Sequence, residues 1–196
     1  MRLATLRQAL WHRHVNAVGA PAALRRWLST GGSLTARLTA HSSVFRVQRL
    51  HQRTALCLAD EARAIGMPRP GRVWEREVLL RCDGVPVVFA HTVVPMSATA
   101  SDWPLFNALG ERSLGSTLFY DPLVTRGSLE FARIRAGHPL MQRARAALGV
   151  DGDTVLYARR CLYRRRRGVL LVTEVFLPAV LALRPPPPHT TINNTK

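Results

Sequence analysis

The chain is nearly without lysine: Lys196 is the only one, so 27 of its 28 basic residues are arginine. Acidic residues are scarce too, 12 in all with none before Asp60, which leaves a formal charge of +16. That surplus favours anionic partners, from a small dianion to nucleic acid held without sequence preference, and does not choose among them. The cysteines, Cys57, Cys82 and Cys161, are odd in number and far apart. With neither a CxxC pair nor a metal-ligand spacing they read as buried free thiols of a reducing cytosol, and no metal is expected. No apolar run reaches the roughly 18 residues of a membrane helix, since residues 169–183 are broken by Glu174 and Pro178. A soluble, cytoplasmic protein is the expectation. GxGxxG, a Walker loop, GxSxG and HExxH are all missing, which removes the common cofactor and nucleophile signatures. Any chemistry must then work with a few charges.

What is present fits one domain: 196 residues, 47% of them hydrophobic, can bury a sizeable core. The clearest local signal is Asp83-Gly84 between two apolar runs, residues 74–82 and 85–95. Both central residues of a type I′ turn need positive φ, so the pair predicts a tight hairpin. Alternation puts Trp74, Arg76, Val78 and Leu80 on one face and Glu75, Glu77 and Arg81 on the other. A two-residue loop sets Cys82 opposite Val85, which by counting puts Leu80 opposite Val87, Val78 opposite Phe89 and Arg76 opposite His91. A second anomaly lies in residues 169–178, where Glu174 is in phase with Leu170, Val172 and Phe176. Burying an unpaired charge costs roughly several kcal/mol, so Arg76 and Glu174 need partners or a ligand, and the bland alternative is that they pair with each other.

Residues 1–20 read as an N-terminal extension; the first thirty residues have the arginine-rich composition of a transit peptide, but residues 22–28 after Pro21 read as an ordinary amphipathic helix, the favoured of the two. Residues 34–40 form a second short helix after a Ser/Gly loop, a helix-turn-helix hairpin with no marked recognition helix. A half-exposed strand follows over 43–54, a strand end or short helix over 56–65, and a linker over 66–71. Ser101-Asp102 is expected to cap a helix over 103–109 that stops at Gly110. Strand-like residues over 118–135, a helix over 140–148, a turn at Asp151-Gly152 and a long strand over 154–164 complete the body. Arg164 to Arg167 reads as a solvated hairpin tip, and residues 184–196, with Pro185 to Pro188, as a disordered tail. Successive hairpins without a βαβ rhythm argue an α+β fold, an antiparallel sheet with helices on one side.

The ordered set Trp74 to Leu80, Asp83 to Pro86, Thr92 to Pro95, Leu114 to Phe119, Thr125-Arg126 and Leu170 to Ala179 resembles the chorismate pyruvate-lyase family, over roughly residues 20–180. The resemblance implies a single domain over 21–183 with a six-stranded antiparallel sheet and helix-turn-helix flaps sealing a buried site. It implies a cofactor-free lyase that turns chorismate into 4-hydroxybenzoate and pyruvate, the first step toward the ubiquinone ring. In that family an arginine at the Trp-x-Arg-Glu motif grips the ring carboxylate and a glutamate at the Thr-Glu-x-Phe-Leu-Pro motif meets the ring hydroxyl. They fall on Arg76 and Glu174. The flap residues whose amides meet the carboxylate match Leu114 and, by a looser alignment, Leu34, where a methionine is familiar.

Chorismate has a second carboxylate, for which His91, Arg160 and Arg126 are the candidate cations. The resemblance leaves a monomer as the expected state and no specific nucleic-acid partner. A non-catalytic ligand-binding module of the same fold, as in the effector domains of transcription regulators, is the main rival reading. A basic nucleic-acid protein is the third.

Overall fold

The structure is a computed structural model and describes residues 8–98, 102–104, 106, 108–149 and 155–184. The turn at Asp151-Gly152 and the tail from 185 lie outside these residues. Six antiparallel strands form one sheet: β1 (Phe45–Leu56), β2 (Arg72–Cys82), β3 (Val85–Pro95), β4 (Val124–Ile134), β5 (Leu156–Arg165) and β6 (Gly168–Phe176), in the order β1-β2-β3-β6-β5-β4. The central strands are buried on both faces, so the sheet must be covered on both sides.

On the back face lie α3 (Ala59–Ala64) and α5 (Pro139–Leu148), which pack Ala62, Leu140, Met141 and Ala144 over Leu79, Phe89, Val93 and Val175. On the front lie α1 (Ala22–Leu28) and α2 (Leu34–Thr39), the first flap, and α4 (Leu114–Tyr120), the helix of the second. Leu24, Trp27, Leu28, Leu34 and Leu38 bury against Val78, Leu80 and Ala90, while Leu118 packs with Trp103, Phe106 and Leu109. None of the described helices is long and apolar enough to cross a membrane. The segment before α1 packs on the body: His12 exchanges backbone hydrogen bonds with Phe131, both 2.8 Å, and Trp11 Nε1 donates to Asp60 at 2.9 Å.

The Asp83-Gly84 turn forms as expected, with φ of 50° and 81°. The register beyond it does not. Cys82 faces Val85, but the pairing shifts between Leu80 and Arg81, so Leu80 faces Val88, Glu77 faces His91 and Arg76 faces Thr92. One extra residue on β3 is a β-bulge, and a one-residue slip sends every later side chain to the other face. His91 therefore does not sit beside Arg76.

The helix expected over 103–109 is also displaced. Its described residues make turns, among them Phe106 N–H to Trp103 O at 3.0 Å, and the helix begins at Leu114 instead. Leu114 and Leu118, four apart, share the one helix face that turns to the pocket.

Candidate active site

Cross-strand rows on the front face make the floor of a pocket. Arg76, Thr92, Val172, Cys161 and Leu129 form one row, and Val78, Ala90, Glu174 and Arg159 the next. The flaps close it from above with Leu34, Thr35, Leu114 and Leu118, around about 640 Å³ of atom-free space that includes solvent at its mouth. The flaps touch each other where Thr35 Oγ1 and Ser113 Oγ lie 2.6 Å apart. Gly115 permits this approach, since a Cβ there would stand 3.0 Å from Thr35 Oγ1.

Arg76 is 2% exposed, and no carboxylate of the described residues lies within ion-pair distance of it. Its Nη2 donates to the carbonyls of Gly110 at 3.1 Å and Arg112 at 3.0 Å in the second flap, and its Nε is buried with no acceptor among the described residues. Burial and the nearby Arg49 loosen its proton, to about 10, so it is still a cation at neutral pH. Across the pocket Glu174 Oε2 accepts from Arg159 Nε at 2.5 Å. The two charges singled out in the sequence thus share a cavity and do not pair with each other. They sit two strands apart and one two-residue step along, so about 12 Å separates their Cα atoms.

Leu34 and Leu114 both line the pocket and both open a helix after a serine, Ser33 and Ser113. The first amides of a helix have no intrahelical acceptor, and no acceptor for either leucine N–H is found among the described residues. Arg126 lines the same pocket, donates from Nη1 to Gly31 O, and keeps a buried Nε with no acceptor among the described residues. Burial holds the Cys161 thiol and the Tyr163 hydroxyl above their ordinary values, so both line the wall as neutral groups.

His91 and Arg160 are on the other face, in the row Glu77, His91, Thr173, Arg160 and Glu130. Arg160 pairs with Glu130 at 2.7 Å and stacks over Trp11. His91 is fully buried, with Nε2 2.9 Å from Glu61 and Nδ1 3.1 Å from Glu77. It belongs to a carboxylate cluster behind the site and not to the pocket. His51, Glu75 and Glu77 in that cluster are ligand types within 4.8 Å of one another. Arg143 already fills the gap, with Nη1 2.6 Å from Glu75 and 2.8 Å from Glu77.

The cluster predicts how stability varies with pH. Burial by itself would lower the His91 pKa, but Glu61 and Glu77 outweigh it and raise the value to about 10. Burial would raise Glu77, and His91 and Arg143 instead hold it near 2. Between about 6.5, the ordinary histidine value, and 10 the folded chain keeps a proton that the unfolded chain gives up, so stability falls as pH rises. Below about 4.5 the unfolded Glu77 takes up a proton first, and stability falls toward pH 2. Urea unfolding at a series of pH values should give a maximum between about 4.5 and 6.5 and a decline on both sides. A curve still rising between pH 7 and 9 would contradict this arrangement.

Arg159 is the pocket residue that sequence reasoning missed. Its signal was there: a two-residue turn at Arg166-Arg167 makes 165 face 168, and counting back sets Arg159 opposite Glu174, the observed pairing.

The profile of the chorismate lyase family matches residues 5–183. A probable chorismate pyruvate-lyase of Ralstonia nicotianae is 52% identical over 165 residues, covering 83% of this chain and 85% of that one. Another, of Cupriavidus metallidurans, is 46% identical over 191 residues, covering 96% and 89%. Among solved structures, the effector domain of PhnF from Mycobacterium smegmatis superposes with a TM-score of 0.52 at 17% identity, covering 75% of this chain and 89% of that one. A GntR-family transcriptional regulator from Bacillus cereus gives 0.53 at 14%, covering 69% and 93%. Those two share the fold. A match along almost the whole sequence, with close relatives of similar length, shows that the chain belongs to the chorismate lyase family.

Proposed function

We propose that the protein cleaves chorismate to 4-hydroxybenzoate and pyruvate, the entry to the ubiquinone ring, as a monomer in the cytoplasm. The observation that carries this reading is a buried arginine, with no counter-ion among the described residues, that faces a carboxylate across a flap-covered pocket. Arg76 offers a planar fork to the ring carboxylate, assisted by the amides of Leu34 and Leu114. Glu174 Oε1, on the oxygen not held by Arg159, accepts from the ring hydroxyl. Arg126, the only one of the three candidate cations that lines the pocket, takes the enolpyruvyl carboxylate through its unpartnered Nε.

The reaction conserves atoms. The ether bond breaks, one ring hydrogen is lost as the ring becomes aromatic, and the enolpyruvyl carbon gains a proton to give pyruvate. The balance calls for no oxidant or reductant, and aromatisation supplies the driving force. The chain's part is to hold the arm over the ring in a reactive geometry and to exclude water beneath the flaps, where both charged contacts strengthen.

Incubating the pure protein with chorismate should yield 4-hydroxybenzoate absorbance and pyruvate in equal amounts. Added 4-hydroxybenzoate should slow the reaction, because a sealed site releases product slowly. Binding of chorismate without turnover would instead make the chain a ligand-binding module.

A further inference from the structure

The guanidinium of Arg159 makes more contacts than neutralising Glu174 requires. The residue is 2% exposed. Its Nε donates to Glu174 Oε2 at 2.5 Å, while Nη1 donates to Leu28 O at 3.2 Å and Thr30 O at 2.9 Å. Both carbonyls lie where α1 ends and the turn of the first flap begins, and the next carbonyl of that turn, Gly31 O, accepts from Arg126. Nothing else among the described residues donates to Glu174, so Oε1 is left for a ligand.

We infer that Arg159 is a positioning residue that fixes Glu174 through Oε2, turns Oε1 into the pocket, and makes opening of the first flap depend on breaking the same guanidinium's hold on both. The inference rests on the lyase reading for what occupies Oε1. Its physical basis is that one rigid planar group serves three acceptors. The flap cannot swing away with Leu28 and Thr30 while Arg159 remains in line with Glu174. A ligand hydroxyl on Oε1 orders the carboxylate, which orders the arginine, which holds the flap. Product retention and flap closure are then one event.

The test compares wild type with Arg159→Lys and Arg159→Met, reading the single-turnover rate, KM and the dissociation rate of 4-hydroxybenzoate. An ammonium is drawn to the charged carboxylate and, lacking the planar fork, gives up the two neutral carbonyls. Arg159→Lys should therefore keep the single-turnover rate within about threefold and release 4-hydroxybenzoate about tenfold faster or more, a loss of one hydrogen-bonded anchor. Arg159→Met should lose both the rate and the retention. A lysine variant with the wild-type dissociation rate, or one as impaired in single turnover as the methionine variant, overturns the proposal.

A second measurement does not depend on either variant folding. In Glu174→Gln, a neutral amide accepts more weakly from Arg159, so amide hydrogen exchange over residues 28–32 should quicken about tenfold. Exchange at the wild-type rate there would sink the coupling. If the wild type binds 4-hydroxybenzoate but turns over no chorismate, the lyase reading fails by itself, and the dissociation and exchange measurements still judge Arg159.

Discussion

Arg76→Ala is expected to lower kcat/KM for chorismate by about a thousandfold or more while the protein keeps its fold. The size follows from what is removed: a desolvated, charge-assisted fork to a carboxylate, whose loss typically costs about 4 kcal/mol or more in a closed site. The fold should survive because Arg76 has no ion-pair partner among the described residues to abandon; its acceptors among them are two backbone carbonyls of the second flap. Removing it deletes a buried cation whose desolvation was unfavourable, against the cost of a cavity, so the net change in stability should stay within roughly 2 kcal/mol. Arg76→Lys should recover little activity, since a point charge cannot donate two parallel hydrogen bonds. Steady-state kinetics with a thermal melt and 4-hydroxybenzoate titration check all three. Turnover close to wild type in the alanine variant would remove Arg76 from the site.

His91→Leu should do the opposite, damaging the fold far more than the chemistry. Leucine leaves Glu61, Glu75 and Glu77, each at most 4% exposed, with Glu61 stripped of its His91 pair and Glu75 and Glu77 left to Arg143 and His51. Breaking a buried pair by removing one partner costs about 3–5 kcal/mol, because the other charge stays behind. For a chain of this length that is a fall in Tm of roughly 10 °C or more at neutral pH. The strength of the argument lies in a double-mutant cycle. His91→Leu with Glu77→Leu should be less destabilised than the sum of the two single variants, since the paired charges leave together. Additive losses, or a His91→Leu melt within 2 °C of wild type, would show that the cluster is not coupled as its distances imply. Glu61 adds a reason for a large effect: its other oxygen accepts from the Leu58 amide at 2.9 Å, so one carboxylate both caps α3 and anchors His91.

Much of the site was legible because its residues break a local rule. Arg76 and Glu174 are charges in phase with apolar neighbours, an anomaly readable from alternation alone, and the structure puts both in one pocket. The central hairpin was legible for a similar reason, since Asp-Gly satisfies a turn that few other pairs can. His91 was misplaced because counting assumed an unbroken ladder, and nothing in Val85 to Phe89 announces a bulge. The second flap helix was misplaced because Ser101-Asp102 carries a helix-start signal as good as Ser113's, and which one is used depends on what each segment can bury. Arg159 went unnoticed among six arginines in nine residues, 159–167, a run that composition reads as surface.

By itself the sequence determined the antiparallel architecture, the turn that starts it and the two anomalous charges, because alternation, turn chemistry and burial cost act over a few residues at a time. Only the tertiary structure decided which face His91 takes, which arginine holds Glu174 and which backbone carbonyls occupy Arg76. These depend on register and on packing between segments far apart in the chain, and a single inserted residue in a strand reverses the outcome.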